Sequence, residues 1–328
     1  MDNASEISVI IVNYGTPELA AEAVESVLAR DHGGRRVDVH IVDNASPGDD
    51  VRWLERTAAE RGWGPRVTLY PEQVNHGFGR GNNCVLRRLR ERPEPPDKVF
   101  LLNPDARLDN EAVEILAGVL DRNPGVGSAG TRISMPDGRP VTAAFRFPSL
   151  ASDFSQSLGF GPLNRLLGRW SVPLSPECPT GPVDWVSGAA VMFRFDAIAQ
   201  AGFFDPDYFL YHEEVDLMWR LKRNGWTCWH VAEARVVHAE GAATQVRGRD
   251  VARRPRPDYW YDSRRLLLLK TRGRGGALAA ALAVTVGAAL NHAMSVVKRR
   301  QVNLPQNFIA DHWRLVTRPL LTGLRRPK

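Results

Sequence analysis

Val99-Phe100-Leu101-Leu102 are four consecutive apolar side chains, stopped within one turn by Asn103-Pro104-Asp105. A short apolar run ended by Asn-Pro reads as a central strand leaving the core at a turn. In an open α/β sheet, ligands sit outside the carboxyl ends of the strands. Asp105 is therefore a carboxylate delivered to the place where such folds do their chemistry. A hard divalent cation bridging phosphate oxygens needs an oxygen ligand of this kind. Taken alone, Asp105 reads more simply as a turn former after Pro104. The rest of the chain changes that balance.

Ile7–Val12 is β-branched and almost wholly apolar, as a buried parallel strand is, and Asn13-Tyr14-Gly15 ends it. Thr16 is placed to cap a helix with Pro17 at its first position, and apolar residues recur at helical spacing from Leu19 to about Ala29. A second strand, Val37–Val42, ends at Asp43-Asn44-Ala45-Ser46. This β-α-β unit lacks the glycine fingerprint of a dinucleotide site, with one Gly where two or three belong. Asp43 can bind a ribose hydroxyl or a pyrimidine N–H, or it can form an Asx-turn. The residue alone leaves both open.

A chain of 328 residues holds one large α/β domain plus an extension. A net charge of +6 and a pI near 9.5 suit an anionic partner: nucleic acid, a phosphorylated substrate or a membrane surface. Cys84, Cys178 and Cys228 have neither paired nor metal-type spacing, which favours free thiols in a reducing compartment. The N-terminus shows no basic n-region, and its apolar run is strand-length, so no signal peptide is read there.

Four blocks now stand in order: VIIVNYG, IVDNAS, Asn75-His76-Gly77-Phe78-Gly79-Arg80-Gly81-Asn82-Asn83, and LLNPDA. Their order and spacing resemble the opening of the family 2 inverting glycosyltransferases of GT-A fold, especially the rhamnosyltransferase-like branch. The resemblance covers roughly residues 5 to 245. It implies that Asn13, Tyr14 and Asp43 line a nucleotide pocket and that Asn75, Gly81 and Asn82 belong to a block closing over base and ribose. It also implies that Asn103 and Asp105 reach the donor, with Asp105 on the metal. Chemistry agrees: glycines at 77, 79 and 81 let backbone approach a ligand, and Asn82 and Asn83 offer donors and acceptors where a helix toward Arg90 begins.

Ser134–Pro182 reads as loops with a short helix near Leu163–Leu167, and long loops of this kind are often lids. Val183–Met192 places Trp185 and Gly188 just before a strand. The resemblance sets them between donor and acceptor, although a core Trp is the commoner use of that residue. In Phe203–Trp226 an aromatic run leads into Glu213-Glu214-Val215-Asp216. Val215, Met218 and Trp219 give the amphipathic spacing of a helix over Glu214–Asn224, stopped by Gly225. Acids at a helix N-terminus are ordinary, but three in four residues repel one another. The resemblance implies that this acidic motif carries the catalytic base. It implies Glu214 as that base, in place of the family's usual Asp, with Glu213 and Asp216 on the acceptor side. The A-x-V-x-H pattern ending at His238 implies a second metal ligand.

Arg247, Arg249, Arg253, Arg254 and Arg256 precede Tyr259-Trp260-Tyr261. Basic residues among aromatics also suit nucleic acid. No nucleic-acid motif accompanies them, and a surface for anionic lipid or a lipid-linked diphosphate is preferred. Gly275–Val297 has no charged residue and passes the length test for a span, but it is Ala-rich and contains Asn291 and His292. A packed or interfacial helix fits it better than a true span.

The reading is an α/β chain: a GT-A-type, Rossmann-like mixed sheet flanked by helices, with a C-terminal helical extension. Residues 1–245 form the catalytic domain, with a nucleotide half to about 133 and an acceptor half from about 134. Residues 246–328 form a basic, membrane-associating extension. The resemblance implies an inverting glycosyltransferase using a nucleoside-diphosphate sugar, dTDP-L-rhamnose first, and a divalent cation, Mg2+ or Mn2+. The acceptor is a lipid-linked or polysaccharide intermediate at the cytoplasmic face of the inner membrane, with no nucleic acid involved. Rivals are another nucleotide sugar (galactofuranose, N-acetylglucosamine or glucose), a nucleotidyltransferase, or a non-catalytic nucleotide-sugar or membrane-binding module. The oligomeric state is not encoded in any pattern seen here.

Overall fold

Strand periodicity puts alternate residues of Lys98–Leu102 on opposite faces, and both faces are covered. Val99 and Leu101 join one apolar cluster, Phe100 and Leu102 the other. The structure is a computed structural model that describes residues 6–239, 254–302 and 304–323. In chain order its first elements are β1 (Glu6–Asn13), α1 (Pro17–Leu28), β2 (Arg36–Asp43), α2 (Asp50–Glu60), β3 (Val67–Pro71) and α3 (Gly77–Arg90). Then come β4 (Lys98–Leu102), β5 (Ala106–Leu108), α4 (Ala112–Arg122), β6 (Val126–Ser134), β7 (Pro140–Val141) and β8 (Ala144–Phe145). Two short helices follow, α5 (Leu150–Leu158) and α6 (Gly161–Leu166), then β9 (Gly181–Val183), β10 (Trp185–Val186) and β11 (Ala190–Arg194). The chain continues through α7 (Phe195–Gln200), α8 (Glu213–Arg223), β12 (Thr227–His238), α9 (Asp258–Val297), α10 (Phe308–His312) and α11 (Arg318–Thr322).

The main sheet runs β3-β2-β1-β4-β11-β6-β12-β5. β1 to β4 are parallel, β11 is antiparallel to both its neighbours, and β12 is parallel to β6 and antiparallel to β5. The chain steps outward from β1 through β2 to β3, then returns to the other side of β1 as β4. That reversal is a topological switch point, where open α/β sheets hold ligands. Helices α1 and α4 supply Ala23, Val24, Val27, Leu116 and Leu120 to one face; α3 and α8 supply Leu86, Leu89, Leu217 and Leu221 to the other. This is the mixed, helix-flanked α/β sheet that the resemblance implies.

The chain folds as two compact units. The larger comprises Met1–Phe145, Pro173–Phe209 and Glu213–Val246; the smaller comprises Arg146–Val172, Leu210–His212 and Arg247–Lys328. The stretch read as loops contributes α5, whose Ser149–Ser152 capping box starts a helix that the Pro- and Gly-rich composition hides. In the smaller unit α5 packs on α9, which bends at Gly273. Gly287 is needed at that crossing, because a Cβ there would lie 2.2 Å from Ser157 Oγ. Asn291, the polar residue inside the Ala-rich stretch, donates from Nδ2 to the Ser157 carbonyl (3.2 Å). Asp153 is buried between Arg264 and Arg272. Arg247, Arg249 and Arg253 lie outside the described residues. Among the described residues, α9 alone is long and apolar enough to cross a membrane by length and composition.

Candidate active site

Register brings the metal-type residues together. β5 and β12 run antiparallel with Ala106 opposite His238, so Asp105 sits one step from the imidazole, and the Ala239 N–H donates to the Asp105 carbonyl (3.0 Å). His238 Nε2 lies 3.0 Å from Asp105 Oδ1 and 3.4 Å from Asn103 Nδ2. Two residues separated by more than a hundred positions thus present a carboxylate oxygen and an imidazole nitrogen to one point. Adjacent ligands of a six-coordinate cation at ~2.1 Å would stand about 3.0 Å apart. The donor pair therefore fits a divalent ion, with imidazole inclining the site toward a transition metal over Mg2+.

The first two strand ends form a closed polar clasp. Asn13 Nδ2 donates to Asp43 Oδ1 (3.0 Å) and Asp50 Oδ2 (2.9 Å), while Asn13 Oδ1 accepts from the N–H and the hydroxyl of Thr16. Ser46 Oγ donates to Asp43 Oδ1 (2.6 Å) and accepts from the Gly15 N–H (2.9 Å). Asn13 and Asp43 are buried and fix the β1 and β2 ends at in-register positions, while Tyr14 beside them is exposed. Asp43 thus makes the turn contact that its place in the sequence allows, accepting the Ser46 N–H at 3.2 Å. Asn44 is a residue that sequence reasoning misses. Its side chain bonds Asn75 Oδ1, the Gly77 carbonyl and the His76 N–H, tying β2 to the start of α3. Its only sequence signal is its place directly after a strand-terminal Asp.

The glycine block differs from its expected form. α3 begins at Gly77, not at Asn82, so Gly79 and Gly81 lie inside the helix and face protein. A Cβ would stand 3.0 Å from Phe204 at position 79 and 2.9 Å from Val12 at position 81. Position 77 has φ +72°, and a Cβ there would be 1.7 Å from the Phe209 carbonyl oxygen. Close helix packing, rather than approach to a ligand, demands these glycines. Asn82 and Asn83 fall past the first turn and are buried. Asn82 Nδ2 donates to the Phe78 carbonyl, and Asn83 brackets Phe204 through that residue's N–H and C=O. The first-turn amides of α3 begin at Gly77 instead, and the Gly77 N–H already donates to Asn75 Oδ1 (2.8 Å). Nearby, Glu72, His76 and Cys84 bring ligand-type atoms within 4.8 Å of one another, a half-buried cluster whose wide spacing hides it in sequence. Burial pushes the Cys84 thiol up and keeps it protonated.

The acidic motif opens α8 as its pattern predicts, and Gly225 ends it at φ +90°. Val215 and Met218 are buried with Leu217 and Leu221; Trp219 is half-buried under Arg223. Glu214 lies against Gly188, where a Cβ would meet the Glu214 Cβ at 3.7 Å and Phe78 at 3.5 Å. The next residue, Ala189, accepts the Asn103 N–H at 2.8 Å. One short loop therefore touches both Glu214 and the Asn103–Asp105 turn. Burial raises the Glu214 carboxyl above its ordinary value. Glu213 is raised too, by burial and by the charge of Glu214. Asp216 has other partners. It is fully buried, accepts from Arg220 Nε (2.7 Å) and Tyr208 Oη (3.4 Å), and anchors the helix, which leaves it no acceptor-side surface. Trp185 stacks on Phe145 with centroids 4.0 Å apart, so one of its faces is already covered.

The switch-point sheet, with a carboxylate-imidazole pair beside β4 and a second carboxylate pair across a short loop, is a mixed α/β fold of GT-A type. Comparison with known proteins places the chain within it: it belongs to glycosyl transferase family 2, matched over residues 8–173, and to glycosyl transferase family group 2 over residues 98–296. The chain is 33% identical over 229 residues to an N-acetylglucosaminyl-diphospho-decaprenol L-rhamnosyltransferase of Mycobacterium tuberculosis, covering 66% of this chain and 70% of that protein. It is 26% identical over 168 residues to the rhamnosyltransferase WbbL of Escherichia coli K12, covering 50% and 61%. These place it in the rhamnosyltransferase-like branch. The fold is similar to that of GalNAc-T7 with UDP, GalNAc and Mn2+ (TM-score 0.58, 12% identity, 99% of this chain and 57% of the other). It is also similar to the mannosyltransferase PcManGT of Pyrobaculum calidifontis with GDP-Man and Mn2+ (TM-score 0.53, 15% identity, 99% and 89%).

Proposed function

We propose that the protein transfers a sugar from a nucleoside diphosphate to a hydroxyl of a lipid-linked or polysaccharide acceptor, with inversion at the anomeric carbon. L-rhamnose from dTDP-L-rhamnose is the first donor to test, and the cytoplasmic face of a membrane is the place of work. The observation that carries this reading is the loop Ser187–Ala189, which has Glu214 on one side and the Asn103–Asp105 turn on the other. The relatives' names favour rhamnose and a diphospho-polyprenol acceptor.

Asp105 and His238 would hold a divalent cation, which when bound supplies charge stabilisation to the departing diphosphate. Glu214 accepts the proton of the acceptor hydroxyl as its oxygen bonds to C1 and the C1–O bond to the diphosphate breaks. Burial raises both carboxyls and each disfavours charge on the other, so the pair resists carrying two charges; we assign the charge to Glu214, the less buried side chain. Asn13, Asp43 and Asn44 hold the donor-side loops in place, with Tyr14 open for stacking.

The test is release of nucleoside diphosphate from a panel of nucleotide sugars with a lipid-linked acceptor. Glu214→Gln lowers transfer by roughly 10²–10⁴-fold, with donor affinity nearly unchanged. A variant that transfers normally removes Glu214 from the role of base.

A further inference from the structure

Charge divides unequally between the two units. The stretches that form the smaller one hold 21 of the 43 Lys and Arg but only 5 of the 37 Asp and Glu, a net +16 that leaves the rest of the chain at −10. A cationic excess of this size seeks an anionic surface. Exposed apolar side chains divide the same way. Of the large ones exposed among the described residues, only Tyr14 and Val74 fall in the larger unit.

Of the ten such side chains described in the smaller unit, five lie on α9, four of them along one line. Leu282, Val286, Leu290 and Val297 recur at helical spacing and are 40%, 51%, 45% and 82% exposed, with exposed alanines between them. Lys298, Arg299 and Arg300 follow at once. The opposite face of the same helix is already used. Ala277, Ala280, Ala281, Val284 and Ala288 pack with Phe308, Leu315, Val316 and Leu320, and Asn291 bonds α5. A helix crossing a bilayer would have to give up that core. One lying in the interface keeps it and buries only the open line.

We infer that the smaller unit seats on an anionic bilayer through the Leu282–Val286–Leu290–Val297 line of α9, lying in the interface, with Lys298, Arg299 and Arg300 on the lipid phosphates. This deepens the proposal of a lipid-linked acceptor and rests on it only for purpose, since bilayer binding is measured without transfer. The full chain is sedimented with phosphatidylcholine vesicles, with and without phosphatidylglycerol. It binds those containing phosphatidylglycerol and is released by alkaline carbonate. Leu282→Ser/Val286→Ser/Leu290→Ser and, separately, Lys298→Gln/Arg299→Gln/Arg300→Gln each weaken binding about tenfold or more, while thermal melts and nucleotide-sugar binding stay as in the parent. Equal binding by the serine variant overturns the proposal, as does retention after carbonate, which marks a span. A serine variant that loses self-association but binds vesicles assigns the face to a second copy, and this also overturns it. Lost nucleotide-sugar binding in the parent would instead strike the glycosyltransferase reading and leave the vesicle result standing.

Discussion

Three acids within four residues end in three states because their surroundings differ. Asp216 is raised by burial but stays paired with Arg220, Glu214 faces a loop, and Glu213 is enclosed beside the Glu214 charge. A carboxyl raised in the folded protein favours the protonated native state. Its contribution is therefore present below the unfolded value of about 4.3 and lost as pH rises through the folded one. Glu213→Gln, a neutral mimic of the protonated acid, should make the protein more heat-stable than the parent at neutral pH. The gap should close toward mildly acidic pH, and melts across that range check it. For Asp105→Ala the expectation is weaker donor binding and no response to added Mn2+. Calorimetric titration with and without the ion reads both, and an undiminished response would remove Asp105 from the ligand set.

At the scale of elements, α3 shows how tightly the donor side is built. Its first residue has a left-handed φ and no room for a methyl group before the Phe209 carbonyl. Gly77→Ala should cost about 1–3 kcal/mol from overpacking, with further strain from the φ. The loss appears in urea unfolding, and Asn75–Gly77 should become more open to proteolysis. A stability unchanged from the parent would mean that the Phe209 loop yields freely. β12 is the complementary case, because its pairing with β5 sets His238 beside Asp105.

At the scale of the molecule, each unit has a core of its own: two apolar clusters bracket the sheet, and a third lies between α9 and the helices after Phe308. Calorimetry should therefore show two transitions. Asp153→Asn leaves Arg264 and Arg272 without their buried partner and should lower one transition, by about 3–5 kcal/mol in its unfolding free energy. Gly77→Ala should lower the other. A single transition moved by both variants would mean that the cores melt as one.

Periodicity and punctuation in the chain itself determined β1, α1, β2, β4 and α8, because these elements rest on local rules of alternation, capping and apolar run length. The four ordered blocks also determined the family, since their spacing is carried along the chain. Tertiary structure decided what those patterns leave open. It turned Gly79 and Gly81 from a ligand loop into a helix seam, put Asp216 in an ion pair, made Asn44 a hub, and gave α9 one committed and one open face. Each depends on which atoms meet across the fold, and a one-dimensional pattern records the types of side chains but not their neighbours.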